Sequence, residues 1–428
     1  MNSEIREMVS ERLGDRYYAI KHPSGLKIFI YPKKENSSTY AVFGTKYGSI
    51  DMCFRTSREK ETHTVPAGIA HYLEHKLFES EDGDAFSRYA KTGASANAYT
   101  SFDATCYLFS CTENVYESLE ILLDFVQSPY FTEQTVKKEQ GIIGQEIRMY
   151  DDDPQWRVLF NLLGNLYHRH PVKTDIAGTV ESIAKITPEL LYQCYQTFYN
   201  LNNMALSIAG NIDVDKVLAL CDKMLKPAEP VRVERIFAEE PEEIVKDRVE
   251  QKLSVSVPIF ELGFKEKAGE NRVTVREAAE TEILLHVIAS DSSPLFRRLL
   301  DAGLVNESSF SYEYFEGPGY ASVIFSGESK DPDRVAAEIR AEIAKIRADG
   351  MDPAAFERSK KAVYGRAVSS FNSVDYLANT MIGNAFSNRE LFQYLDEIAA
   401  AGPESVQRRL DTQLLLERSS LSVVKPLD

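Results

Sequence analysis

Residues 68–80 read GIAHYLEHKLFES, an apolar run into which two histidines and a glutamate are set as His71-x-x-Glu74-His75. Apolar positions here recur with a helical period, which predicts a helix from Ala67 to about Phe78, closed by Glu81-Asp82-Gly83-Asp84. On such a helix His71 and His75, four residues apart, share a face, so both imidazoles can address one ion. Glu74, three after His71 and beside His75, sits near that face. With seven histidines and 65 acidic residues in 428 positions, chance supplies about 0.02 His-x-x-acid-His matches. The bland alternative is a helix whose histidines pair with solvent or core carbonyls.

Zinc takes nitrogen or oxygen ligands at about 2.0–2.2 Å, and a catalytic site leaves one position for water. The ion acidifies that water, and an adjacent carboxylate can accept its proton during attack on a peptide carbonyl. Two histidines and a neighbouring glutamate thus supply two ligands and a base, and a further ligand must come from elsewhere. The segment KKEQGIIGQEIRMY offers Glu139 and Glu146, seven residues apart and so on one helical face. Val136, Ile142, Ile143 and Ile147 are expected to anchor that helix. One glutamate can bind the ion while the other orients the ligands.

Around these segments the chain reads as two similar halves. YYAIKHPSGLKIFIYPK predicts a hairpin turning at Pro23-Ser24-Gly25, with STYAVFGTKYGSID as a further strand. ASANAYTSFDATCYLFSCT again reads as strands, followed by the helical segments VYESLEILLDFVQ and FTEQTVKKEQGIIGQEIRMY. Residues 227–251, rich in proline and charge, read as an interdomain linker. Beyond it, SVPIFELGFKE matches the AVFGTKYGS strand, TEILLHVIA takes the place of the His71 helix, and SSFSYEYFEGPGYASVIFSGES matches ASANAYTSFDATCYLFSCTEN. Aligning Phe131 with Met351 gives an offset of 220 residues, which sets Glu139 against Ser359 and Glu146 against Arg366. The expected fold is α+β: two homologous mixed halves, each a mostly antiparallel sheet covered by helices, together forming half of a clamshell. Residues 1–228 form the metal-binding half, 229–250 the linker and 251–428 a half without metal ligands.

The pattern HxxEH is the inverse of the thermolysin motif. With a glutamate 71 residues after His75, the chain resembles the pitrilysin/insulinase family of zinc metallopeptidases, in its bacterial processing-peptidase-like branch. The resemblance implies His71, His75 and Glu146 as Zn2+ ligands, Glu74 as the base and Glu139 as a supporting carboxylate. It also implies that GASANAYTSFDATCYLF contains an edge strand pairing with an extended peptide, with Asn97 and Ala98 at its start. Main-chain pairing of that kind grips any extended peptide. The chain departs from the family where an arginine and a tyrosine are expected in the second half. Those positions fall on Leu300 and Asn306, with Arg297, Arg298, Tyr312 and Tyr314 nearby. A related subunit without zinc is then expected to complete the site as a heterodimer, with a homodimer as the other arrangement. A non-catalytic or substrate-dedicated maturation subunit of a larger complex is the second functional reading.

A net charge of −16 argues against nucleic acid or an anionic membrane as partner, and no apolar run is long enough to span a bilayer. Five scattered cysteines without a CxxC pair point to a reduced, cytoplasmic protein. Asp151-Asp152-Asp153-Pro154 is expected to be an exit loop, His168-Arg169-His170-Pro171 a solvated loop, and Trp156 a packing anchor. No phosphate-cradling glycine loop is present.

Overall fold

The predicted hairpin forms the start of a seven-stranded sheet. Its strands are Glu4–Ser10 (β1), Asp15–Lys21 (β2), Lys27–Pro32 (β3), Thr39–Thr45 (β4), Ser95–Thr100 (β5), Thr105–Cys111 (β6) and Met204–Gly210 (β7). They lie in the order β1-β2-β3-β7-β4-β6-β5, antiparallel except for the β3–β7 pair. The structure is a computed structural model and describes residues 3–81, 83–267 and 273–427; Asp82 of the predicted helix-closing turn lies outside the described residues.

Two helices of the first half matter for function: Ile69–Leu77 (α1) and Glu133–Asp151 (α2). Helix α1 buries Ile69, Tyr72, Leu73 and Leu77. The Tyr72 hydroxyl donates to the Val136 carbonyl, which ties α1 to the start of α2. Val136, Ile143 and Ile147 anchor α2 as expected, but Ile142 is 46% exposed. One residue rotates a helix by about 100°, which turns Ile142 off the stripe shared by the other three.

A second sheet, on which helix Pro154–Leu166 (α3) packs, is built from the strands Arg248–Leu253 (β8), Ile259–Glu266 (β9), Ser311–Gly317 (β10), Tyr320–Glu328 (β11) and Ser419–Pro426 (β12). Their order is β8-β12-β9-β11-β10, with only β8 and β12 parallel. Helices Val275–Ala289 (α4) and Pro353–Ser370 (α5) follow the plan of α1 and α2.

The two compact units depart from a linear division at residues 229–250. One comprises residues up to 147, 175–236 and 368–391; the other comprises 148–174, 237–367 and 392 onward. Two helices cause the exchange. Helix α3 packs on β9 and β12, while Val374–Ser387 (α6), from late in the chain, packs on β4 and β7. Each sheet admits its helix at a glycine of an interior strand. A Cβ on Gly263 would stand 2.9 Å from side-chain atoms of Leu162 and Leu166, and one on Gly44 would stand 3.2 Å from Ile382. A methyl group at Gly263 would require the two leucine side chains to shift, and one at Gly44 would require Ile382 to give by a few tenths of an ångström.

The proline- and charge-rich stretch 227–251 is not a bare linker. Val233–Arg235 pairs with Cys53–Thr56, and its C-terminal end enters β8. Glu240 accepts the backbone N–H groups of His168, Arg169 and His170 at 2.7–2.8 Å and the Lys265 ammonium at 2.7 Å. Burial alone would raise its pKa, but Lys265 and the three N–H donors outweigh it and hold the carboxyl down at about 2. This clamp explains why His170 is buried rather than solvated, with its Nε2 2.9 Å from the Pro318 carbonyl oxygen. Asp153 caps α3 through the Gln155 and Trp156 N–H groups, and Trp156 stacks on Tyr150 at 4.6 Å. All five cysteines are free, and four are buried. Among the described residues no helix is long and apolar enough to cross a membrane.

Candidate metal centre

Helix α1 turns His71 and His75 to one side, their ring centroids 4.6 Å apart. Glu146 on α2 faces both: its Oε1 lies 3.7 Å from His71 Nε2 and its Oε2 lies 3.4 Å from His75 Nε2. Two atoms each about 2.1 Å from one tetrahedral ion stand about 3.4 Å apart, so these spacings match an edge of a zinc coordination shell. His71, Glu74 and His75 also bring one donor atom each within 4.8 Å of one another. Distance alone therefore admits either Glu74 or Glu146 as the third ligand. The hydrogen bonding separates them: Glu74 Oε2 accepts the Thr100 hydroxyl at 3.0 Å, whereas Glu146 presents one oxygen to each imidazole.

Glu139, two turns earlier on the same face of α2, lies 3.0 Å from His75 Nδ1. A carboxylate there fixes the tautomer that leaves Nε2 as a donor to metal, the usual supporting arrangement for a ligand histidine. His71 has no such support; its Nδ1 is buried without a hydrogen-bond partner. Burial and the neighbouring His75 hold His71 down at about 4, so it is neutral at pH 7 and able to coordinate. Burial would also lower His75, but hydrogen bonds to Glu139 and Glu146 prevail and lift it to about 10, so a cation bound there would displace the Nε2 proton and leave the one shared with Glu139. Glu74 is pulled above the usual carboxylate range by burial, with His75 and Thr100 acting in the opposite direction. Two imidazoles clustered with three carboxylates carry excess negative charge, a donor set suited to a divalent cation.

Asn97 and Ala98 lie on β5, which among the described residues pairs with β6 alone and is the edge of its sheet. Asn97 is exposed and its Oδ1 accepts the Ala98 N–H at 2.9 Å. Alternation along β5 turns Asn97 and Tyr99 one way and Ala96, Ala98 and Thr100 the other. Thr100, absent from the residues singled out by motif, is brought to Glu74 by this alternation. Its signal in the sequence is slight: one hydroxyl after two alanines on the same strand face.

In the second unit the residues near the expected arginine and tyrosine are engaged locally. Arg298 bonds Glu342 at 2.7 Å, and Arg297 lies 3.6 Å from Asp301. The Tyr314 hydroxyl donates to Glu266, which also holds Arg409 at 2.7 Å.

Residues 56–180 match the Insulinase (Peptidase family M16) family, and residues 185–363 match the Peptidase M16 inactive domain. The chain is 39% identical over 428 residues to the uncharacterized zinc protease YmfH of Bacillus subtilis (strain 168), covering 99% of both chains. The chain belongs to the pitrilysin/insulinase family. Its fold superposes on an M16-like peptidase from Alicyclobacillus acidocaldarius with a TM-score of 0.91 and 34% identity, covering 100% of this chain and 99% of the other. A more distant relative is a chain named probable mitochondrial-processing peptidase subunit beta of Arabidopsis thaliana, 27% identical over 181 residues, 41% of this chain and 34% of that one. Within this insulinase-family chain the matched boundary falls between α3 and β7, so α1, α2 and β5 all lie in the segment that matches the Insulinase family itself.

Proposed function

We propose that this chain is a zinc-dependent endopeptidase acting on unfolded or extended peptides. The observation that carries the reading is the placement of Glu146 across both imidazole Nε2 atoms at 3.7 and 3.4 Å. His71, His75 and Glu146 would hold Zn2+. When bound, the ion supplies the Lewis acidity that makes a water nucleophilic near neutral pH. Glu74 takes the proton from the attacking water and returns it to the leaving amine, a role that suits a carboxyl raised by burial. Glu139 holds His75 in the coordinating tautomer. The peptide adds to the open edge of β5 beside Asn97 and Ala98, its main chain paired and its carbonyl delivered toward α1.

A related subunit without zinc completes the site in this proposal. Three things support it: residues 185–363 match an inactive domain, Arg298 and Tyr314 are held by partners in their own unit, and a relative bears the name of a subunit. The five free thiols support a cytoplasmic location. The second reading, a maturation subunit dedicated to one substrate, is favoured by the same match to an inactive domain.

The test is metal content and peptide cleavage for wild type and Glu74→Gln, each with and without a paralogous partner chain. About one zinc per chain in both proteins, with cleavage in wild type alone, is the expected result. Zinc without cleavage under any condition would favour the dedicated-subunit reading, and no zinc after repletion would sink the proposal. Equal rates with and without the partner would remove the heterodimer.

A further inference from the structure

We infer that Thr100 is a positioning residue for Glu74, fixing the base from the same strand that seats the peptide. The inference rests on the peptidase reading above. Three observations lead to it. The Thr100 hydroxyl donates to Glu74 Oε2 at 3.0 Å. Thr100 closes β5, the edge strand, and is paired across to Thr105 of β6. Thr105 is itself pinned, fully buried, by a hydrogen bond from its hydroxyl to the Tyr47 carbonyl at 2.8 Å.

A glutamate side chain has three rotatable bonds, and its last torsion is broad and roughly two-fold. A base must sit within hydrogen-bond reach of the proton it takes, so a carboxylate free to turn spends much of its time misaimed. With Oε2 held by Thr100, rotation about that last bond is restrained and Oε1 is the oxygen left to take the proton. Ala96 and Ala98 occupy the other positions on this side of β5, and neither side chain can donate a hydrogen bond. The hydroxyl therefore comes from one residue, and that residue stands two positions beyond Ala98. A peptide lying along β5 would brace the strand from which Glu74 is aimed, so the seat and the base are built on one element.

The experiment compares Thr100→Val, which keeps the shape and loses the hydroxyl, with Thr100→Ser, which keeps the hydroxyl. Both are measured as the zinc-loaded full chain, with its partner if one is needed, alongside Glu74→Gln. Readouts are zinc content, the affinity of an uncleaved peptide for each variant in the Glu74→Gln background, and kcat and KM separately. Thr100→Val should lower kcat about tenfold to a hundredfold, the range for a hydrogen bond to a charged group. KM, peptide affinity and zinc content should stay at wild-type values, and Thr100→Ser should return kcat to within about threefold. Wild-type kcat in Thr100→Val would overturn the inference. So would an equal defect in Thr100→Ser, or a defect confined to zinc content or peptide affinity, because packing would then be the cause. Cleavage surviving in Glu74→Gln would instead overturn the role of Glu74, and with it the peptidase mechanism on which this inference stands.

Discussion

The same pair of helices appears in each half of the chain, and what they carry differs at a few positions. On α1 and α2, His71, Glu74, His75, Glu139 and Glu146 gather with donor atoms turned toward one another. On α4 and α5 the corresponding ground holds Glu282, His286 and Arg366, with Arg366 3.7 Å from Glu282. Burial first, then the Arg366 guanidinium, lowers His286 below the usual histidine range. A half-buried acidic helix face needs a cation. The second unit provides one covalently at the position where the first has Glu146, and so has no need of an ion. Arginine in place of Glu146, serine in place of Glu139 and one histidine, His286, in place of two leave a partly exposed ion pair where the first unit has a candidate metal centre.

The sharpest way to break this comparison is to copy the second unit's residue into the first. Glu146→Arg should abolish zinc binding, read by metal analysis after repletion, and reduce cleavage to background. Retained zinc would show that Glu146 is not a ligand. Glu74→Gln is expected to keep zinc and lower kcat by about 10² to 10⁴, the contribution of a general base.

A smaller effect concerns stability. Two residues before the admitting glycine, β4 carries Val42 opposite Ser207, whereas β9 carries Glu261 opposite Ser422. Glu261 is buried, its Oε2 lacks a hydrogen-bond partner, and burial, aided by Glu313, raises its pKa to about 8. Folding therefore favours the protonated acid. Its contribution is fully present below the unfolded value of 4.5 and is lost as the pH rises through about 8. Thermal melts from pH 5 to pH 9 should show a falling Tm, and Glu261→Gln should flatten that fall. At about 1.4 kcal/mol for each pH unit between those two values, the whole effect amounts to a few kcal/mol. A wild-type profile identical to that of Glu261→Gln would dispose of the claim. The smallest change is expected for Arg366→Met. It should leave zinc content and cleavage unchanged while costing at most about 1 kcal/mol in chemical denaturation, because partly exposed Glu282 loses a cation that solvent already screens. Loss of zinc in that variant would mean the two centres are not independent.

Much of the site is legible in the sequence because its signals are local. Four-residue spacing on a helix puts His71 and His75 together whatever surrounds them, and seven-residue spacing does the same for Glu139 and Glu146. Where composition and periodicity mislead, long-range contacts make the difference. The stretch 227–251 reads as a linker by composition, yet Val233–Arg235 becomes an edge strand and Glu240 a clamp on the loop at His170. Those outcomes depend on partners 70 or more residues away. Ile142 has the apolarity of an anchor, and only the face of α2 that meets the core excludes it.

From the sequence alone come the helix bearing His71, Glu74 and His75, the second helix bearing Glu139 and Glu146, and the duplicated order of strands and helices. All of these follow from short-range periodicity, which the backbone imposes on any chain that folds into helices and strands. The tertiary structure decides which carboxylate spans both imidazoles, which hydroxyl aims Glu74, and which helices cover each sheet. Helix α3 joins the unit of later residues and α6 the unit of earlier ones. Such choices rest on packing between surfaces far apart in the chain, at Gly44 and Gly263 and along the edge at Thr100, where no spacing rule reaches.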